Sequence, residues 1–382
     1  MRNSEERRLQ RVVAFTCATL FIIFSFFFVA KYQAPLFELV YDKWATGKLD
    51  FNPYVLGATV ATALTVLALW LNKFTGFQRE WTAMAYLPSV LILSFISDID
   101  RTLYTGGGSL WGWIVIFVVG FLIYLFLSFV LRRILFEKIK SAAMSANRII
   151  WRNLLIFVIF FCVAGSLSNG EENFKREALV ESYYKRGDLS AALSVGNKSL
   201  DASRELTAQR AYIMASEGLL GEMLFEYPQL YASKGLLPGK LRTSALVPDS
   251  VYNMLGATPG ENENSSAFFD RIAANDSLSP VVKDYYLSAL LLDKRLVEFT
   301  RRLPELYPGI AHDSLPKHYR EALKLYSEID GTFTPDFTND ELTVLFDSLK
   351  SIENSHDDVF VRGNYVRKSF GKTYWWYFLY SY

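Results

Sequence analysis

The sequence predicts an all-α protein in two parts: a bundle of about five transmembrane helices, then a C-terminal helical domain outside the bilayer. Three observations carry this. Apolar residues make up 51% of the 382 and charged ones only 21%, with a mean hydropathy of +0.15. Long uncharged runs lie behind those averages and argue against a purely soluble chain. The runs all fall before Gly170, and beyond it charges of both signs appear while apolar residues recur at helical spacing. A net charge of +1 excludes the basic balance of a nucleic-acid binder. Two cysteines supply neither a disulfide framework nor a thiolate metal site.

Residues 1–11 form a basic N-terminus, and residues 12–168 hold spans at 12–32, 54–71, 83–97, 110–131 and 153–167. A helix needs roughly 17–25 mostly apolar residues to cross a hydrocarbon core of about 30 Å. Spans three and five are the shortest. The first span is rich in Phe (Phe24, Phe26, Phe27, Phe28) and reads as an uncleaved anchor. Its apolar stretch outruns a signal-peptide core, and Lys31-Tyr32-Gln33 follows without a small-x-small site.

Cations set the orientation. Arg2, Arg7, Arg8 and Arg11, then Lys73 and Arg79, then Arg132, Arg133, Lys138, Lys140, Arg148 and Arg152 place twelve on one side. Lys31, Lys43, Lys48 and Arg101 place four on the other. The N-terminus is therefore expected in the cytoplasm of a bacterial inner membrane, and residues 171–382 in the periplasm.

No Asp, Glu, Lys, Arg or His lies in the middle of a span, which disfavours a transporter subunit, the third functional reading. In span two, Gly57, Ala58, Thr59, Ala61, Thr62 and Thr65 form a small-polar face suited to close helix packing. Trp70, Trp81, Trp111, Trp113 and Trp151 sit near span ends, where amphipathic rings prefer the interface.

In the outer part, Glu171–Arg186 reads as one helix and Leu189–Leu200 as its partner, with Gly187-Asp188 as the turn and Asp188 as N-cap. Val281–Leu303 follows, capped by Ser279-Pro280, and Leu315–Ile329 comes next. Thr338 to Glu341 reads as a capping box before Leu342–Ile352. A breaker-rich stretch at about 238–266 reads as a mobile loop, and Val359-Phe360-Val361 as the one strand-like run. The aromatic tail Thr373–Tyr382 reads as a cap on the last helices.

Leu179, Tyr183, Gly187, Leu189, Ala192 and Leu200 resemble a tetratricopeptide (TPR) helix pair, and Ala211, Gly218 and Leu220 repeat it weakly. The early Trp position of that family is Arg176 here, its second-helix aromatic falls at Gly196, and a period of about 34 residues is not sustained. The resemblance implies a TPR-like solenoid that binds another periplasmic or inner-membrane protein beside its lipid bilayer, with no cofactor. Several spans followed by an outer helical domain rich in Tyr and Phe also resemble uncharacterised inner-membrane proteins of Bacteroides-type bacteria.

For chemistry, Gly106-Gly107-Gly108-Ser109 lacks the lysine of a phosphate loop, and His312, His318 and His356 form no HExxH motif. Asp98-Ile99-Asp100-Arg101 supports a second reading. The D-x-D pair resembles the acidic motif of lipid-linked-sugar glycosyltransferases, which implies catalytic carboxylates at Asp98 and Asp100, with Glu38, Asp42 and Asp50 nearby. The bland alternative is a helix end with an Asp–Arg pair. Asp-Ser-aliphatic triplets at Ser250, Ser277, Ser314 and Ser348 are similar to the O-glycosylation acceptor of Bacteroides-type bacteria. They fit helix starts equally well.

Overall fold

The computed structural model describes residues 2–44, 51–77, 79–102, 110–138, 146–239, 247–275, 278–338 and 340–381. Every regular element among them is helical, and the chain divides into two compact units, 1–178 and 179–382. The glycine run 106–109, Lys48, Asp50, Lys140, Ser277 and Asn339 lie outside the described residues.

Five stretches in the first unit are long and apolar enough to cross a membrane: Arg7–Tyr32, Pro53–Thr75, Arg79–Ser97, Trp111–Val130 and Asn147–Leu167. They belong to α1 (Arg2–Phe27, extended by a π turn over Phe28–Tyr32), α3 (Pro53–Thr75), α4 (Leu87–Ser97, preceded by a 3-10 segment Arg79–Tyr86), α5 (Trp111–Lys138) and α6 (Ala146–Leu167). The third stretch starts four residues earlier than its apolar run, because Asn153 of α6 holds the 3-10 segment. Its Oδ1 accepts the N–H of Ala83 at 2.8 Å, and its Nδ2 donates to the Arg79 carbonyl at 2.7 Å.

A buried stripe on α3, Gly57, Ala61, Leu64, Thr65 and Ala68, faces its neighbours. Thr59, Ala58 and Thr62 of the expected small-polar face point outward instead. Thr59 and Thr65 return their hydroxyls to the carbonyls four residues back, at 2.9 and 2.7 Å. At Gly57 a Cβ would lie 2.9 Å from the Ala30 Cβ and 3.1 Å from the Phe26 carbonyl oxygen. The absent side chain is what lets α1 and α3 touch.

The five apolar stretches alternate in direction along the bundle. One end of the bundle joins span three to span five through Asn169, whose N–H meets the Ser97 carbonyl at 3.4 Å and whose Nδ2 donates to the Ile99 carbonyl. The opposite end joins the starts of the same two spans through Asn153 and an ion pair between Glu80 and Arg152. The chain therefore enters this unit at one end and leaves at the other. A helix that the sequence did not announce, α2 (Ala34–Trp44), follows span one; its Leu36 and Leu39 pack with Phe174 and Ala178.

In the second unit α7 (Glu172–Lys185, which begins in the first) ends at Gly187, φ 74°. The Asp188 N–H reaches back to the Tyr183 carbonyl at 3.0 Å, and the Asp188 carboxylate caps α8 through Ala191 N at 2.9 Å. The partner helix α8 covers only Leu189–Ser194, shorter than the expected run to Leu200. Gly196, φ 62°, turns the chain away, and Leu200 is 62% exposed. The helix expected over Val281–Leu303 is two, α13 (Pro280–Leu292) and α14 (Leu296–Leu306). Lys294 adopts φ 56°, and the Arg295 N–H closes onto the Leu290 carbonyl at 2.8 Å, a Schellman ending without glycine. Helix α13 is buried nearly all round, which makes it the centre of the core.

The expected loop at 238–266 instead holds α11 (Val247–Leu255) and the start of α12 (Ser265–Ala273). Val251, Leu255, Phe268, Phe269 and Ile272 are buried, which is why these segments fold. The polar turn between them is tied by Arg271, which donates to both Glu263 oxygens at 2.8 Å and to the Thr258 carbonyl at 3.0 Å. Helices α9 (Arg204–Ser216), α10 (Leu220–Met223) and α15 (Lys317–Ile329) complete the surroundings of α13.

The capping box at Thr338 does not form. Both Thr338 donors go to the Asp313 carboxylate, and Asp340 precedes α16 (Glu341–Asn354) without a side-chain cap. The strand-like Val359–Val361 opens α17 (Val359–Phe370), because the Asp358 carboxylate accepts the N–H groups of Phe360 and Val361 at 2.8 and 2.9 Å. The aromatic tail is a helix, α18 (Tyr374–Tyr380), with Tyr374, Trp375 and Tyr377 in the core.

Candidate functional site

The acidic motif sits where span three ends. Asp98 Oδ2 accepts the Trp113 indole N–H at 2.8 Å. Asp100 Oδ1 accepts the Thr102 N–H at 2.8 Å and its hydroxyl as well. The two carboxylates take separate donors, and Arg101 pairs with neither in the expected Asp–Arg fashion. Its guanidinium bridges Glu171 and Glu177 at 2.7–2.9 Å, over the Phe174 ring at 5.0 Å. Burial works against the charge of Arg101, and the hydrogen bonds to Glu177 and Glu171 more than offset it. Sequence reading missed this junction because its partners lie some 70 residues apart. Among the described residues no group of three His, Cys, Asp or Glu side chains is placed to hold a metal ion. Glu38 and Asp42 lie on α2.

The helix-pair framework is partly assembled. Ala192 is core, Leu179, Tyr183 and Leu189 pack against it, and Leu200 does not take part. Of the Asp-Ser positions, Ser314 is exposed in a 3-10 turn, Ser348 is exposed on α16 with its hydroxyl on the Val344 carbonyl at 2.9 Å, and Ser250 is half-buried on α11.

Two buried polar clusters were not legible. In the first, the Phe225 N–H donates to His318 Nε2 at 3.3 Å, so Nδ1 carries the proton and donates to Glu321 Oε2 at 2.9 Å. The same carboxylate oxygen accepts the Tyr374 N–H at 2.7 Å, and the Glu321 carbonyl takes the Trp375 indole N–H at 2.7 Å. In the second, the Asp284 carboxylate accepts the hydroxyls of Tyr307 and Tyr319 at 2.5 and 2.9 Å. Burial pushes the Asp284 carboxyl up against the pull of those hydroxyls, and burial raises both tyrosines. Every polar atom engaged here faces another protein group, so both clusters read as core fastenings.

A cleft of about 570 Å³ opens elsewhere on this unit, between the loop 229–234, the first residues of α12, Asp293 and Tyr377. That volume is in the usual range of ligand pockets, about 300–1,000 Å³. The loop bends at Ala232, a non-glycine residue at φ 48°. Its two sides are stitched by the Ser233 and Ser265 hydroxyls at 2.7 Å, and the Asp293 Oδ1 accepts the Ser233 N–H at 3.0 Å. Asn264 caps α12 by accepting the Ala267 N–H at 2.7 Å, which leaves Ser265 and Ser266 to present the first N–H groups of the helix. Gln229 Nε2 donates to the Leu224 and Tyr227 carbonyls at 2.7 and 3.4 Å, fixing the amide's orientation. Its Oε1 is buried and meets no donor.

No curated protein and no solved structure matches the chain. Residues 252–381 match a family of unknown function, DUF6057, and that stretch takes in the α12 and Asp293 sides of the cleft but not the loop 229–234.

Proposed function

We propose that this is an integral protein of a bacterial inner membrane, with its N-terminus in the cytoplasm, which presents residues 179–382 in the periplasm as a protein-binding scaffold. The observation that carries the reading is the odd number of candidate spans in the first unit, five stretches long and apolar enough to cross a membrane. Together with twelve cations against four, it supports a second unit on the side away from the cytoplasm. The helix pair around Leu179, Tyr183, Gly187, Leu189 and Ala192 supports a TPR-like binding module at the start of that unit.

The test replaces Cys17 and Cys162 and introduces a single cysteine at exposed Ser314. A membrane-impermeant maleimide labels it in intact spheroplasts if the reading holds. Labelling only after the cytoplasmic side is opened overturns it. Purification of the intact protein in mild detergent then recovers a stoichiometric partner; recovery of none removes the scaffold role.

A further inference from the structure

We propose that the outer face of α17 rests on an anionic lipid surface, with Phe360 and Val361 entering the headgroup region. Helix α17 buries one side in the core through Val366 and Phe370, which are 0% and 7% exposed. Its exposed side carries Phe360, Val361, Asn364, Tyr365 and Lys368, which share a face by their spacing of three and four residues. Phe360 is 81% exposed, and Val359, Val361 and Tyr365 are each about half exposed. The Tyr365 ring is stacked on His356 on one side only, with centroids 4.2 Å apart. The helix thus has an apolar inner face in the core and a second apolar set, at its first turns, that the second unit leaves in the open.

The independent observation is charge. The whole chain is balanced, with 40 cationic and 39 acidic side chains. Residues 359–381 break that balance: they carry Arg362, Arg367, Lys368 and Lys372 and no acid. Lys368 is exposed, and Lys372 is 72% exposed, 3.9 Å from Glu226. Of the acids just upstream, Asp358 is spent on the N–H groups of Phe360 and Val361, Glu353 accepts the Tyr380 hydroxyl at 2.6 Å, and Asp357 is exposed.

Exposed apolar side chains beside cations are the composition of helices that lie on anionic membranes. A protein partner fits less well. Four apolar side chains are few against the about 20–30 residues a side of a stable protein interface. A bilayer asks for less, because the spans of the first unit tether the second to one, and a tethered contact needs only a few inserted side chains. The inference therefore rests on the reading that the first unit crosses a membrane, and not on which side the second unit lies.

The test uses the full chain with Cys17 and Cys162 replaced and an environment-sensitive fluorophore on Asn364→Cys, an exposed position of that face. It is placed in nanodiscs of phosphatidylglycerol and phosphatidylcholine in equal parts, with and without a spin label on the lipid acyl chains. The expected result is quenching by the spin-labelled lipid, lost in discs of phosphatidylcholine alone and lost on Phe360→Asp. The spans keep that variant in the disc, so the loss reads α17 alone. Lys368→Glu, also at an exposed position, weakens the quenching, so the test stands if Phe360→Asp unfolds. Absence of quenching, quenching unchanged by both substitutions, or equal quenching in neutral discs overturns the proposal. So does a blue-shifted fluorophore without quenching, which marks a second copy or another protein on the face. A chain that does not enter discs fails the membrane reading, and this inference with it, before any quenching is read.

Discussion

Adjacent tryptophans in the tail give the second unit a built-in comparison. Trp375 is 1% exposed, stands edge-on to Phe346 with ring centroids 5.0 Å apart, and donates its indole N–H to the Glu321 carbonyl at 2.7 Å. Truncating a buried Trp to Ala costs about 3–5 kcal/mol through lost transfer energy and the cavity left behind. The Glu321 carbonyl loses a donor as well, worth about 1 kcal/mol. Against a total domain stability of about 5–15 kcal/mol, Trp375→Ala removes a large fraction. Trp376 is half-buried beneath the Arg367 guanidinium at 5.5 Å, and its indole N–H has no acceptor. Its truncation loses a cation–π contact of about 0.5–1 kcal/mol and part of its apolar area. Both variants are read by thermal and urea unfolding of the full chain in nanodiscs, followed by near-UV circular dichroism. Trp375→Ala is expected to melt far below Trp376→Ala. Equal melting of the two, or Trp375→Ala melting like the parent, refutes the claim that α18 closes the core.

Three further outcomes are expected. Arg101→Ala takes the guanidinium from Glu177, which is 2% exposed; losing one partner of a buried pair costs up to about 3–5 kcal/mol, and partial exposure of Arg101 puts the effect near the lower end. Glu171→Ala, at a side chain 46% exposed, falls within about 1 kcal/mol; denaturant titration in micelles ranks the two, and equal effects contradict the assigned geometry. Gly57→Ala sets a Cβ against backbone in α1 and costs about 1–3 kcal/mol, seen as a lowered melting temperature of the bundle; no change means the helices do not touch there. Tyr285, Tyr319, Tyr374 and Tyr377 are raised by burial. A folded-state value above the unfolded one of about 10 leaves stability intact below pH 10 and removes it as pH rises through the folded values. Because the chain has 22 tyrosines and only these are invoked, the final part of the phenolate absorbance is expected to rise together with the loss of near-UV circular dichroism, and complete phenolate formation in a still-folded protein contradicts the burial.

What the sequence disclosed depended on whether a signal was local. Asp188 and Ser279 cap as expected because an N-cap needs only the residues beside it. Gly187 and Gly218 end helices at φ 74° and 69° because glycine alone announces a left-handed turn. Lys294 makes the same turn and gives no such signal, so α13 and α14 looked like one helix. Val359–Val361 has strand propensity, yet Asp358 caps it into a helix, a case of local capping outweighing β-branching. The junction at Arg101, the His318–Glu321–Tyr374 cluster and the cleft all join residues tens of positions apart. No periodicity or spacing encodes such meetings, and only the folded chain reveals them.

The buried polar groups of the second unit also separate fastening from function. Around Glu321, one carboxylate oxygen serves His318 and the Tyr374 backbone, and the main-chain carbonyl serves Trp375. Around Asp284, one carboxylate oxygen receives two tyrosine hydroxyls. Such networks are inward-facing, so a ligand would have to break bonds to enter. The Gln229 amide is held by two carbonyls through its nitrogen only, and its oxygen is buried without a donor. Replacing Gln229 by Glu sets a carboxylate oxygen against the Leu224 and Tyr227 carbonyls that now accept from the amide nitrogen, so the variant is expected to melt below the parent in nanodiscs; equal melting contradicts that anchoring.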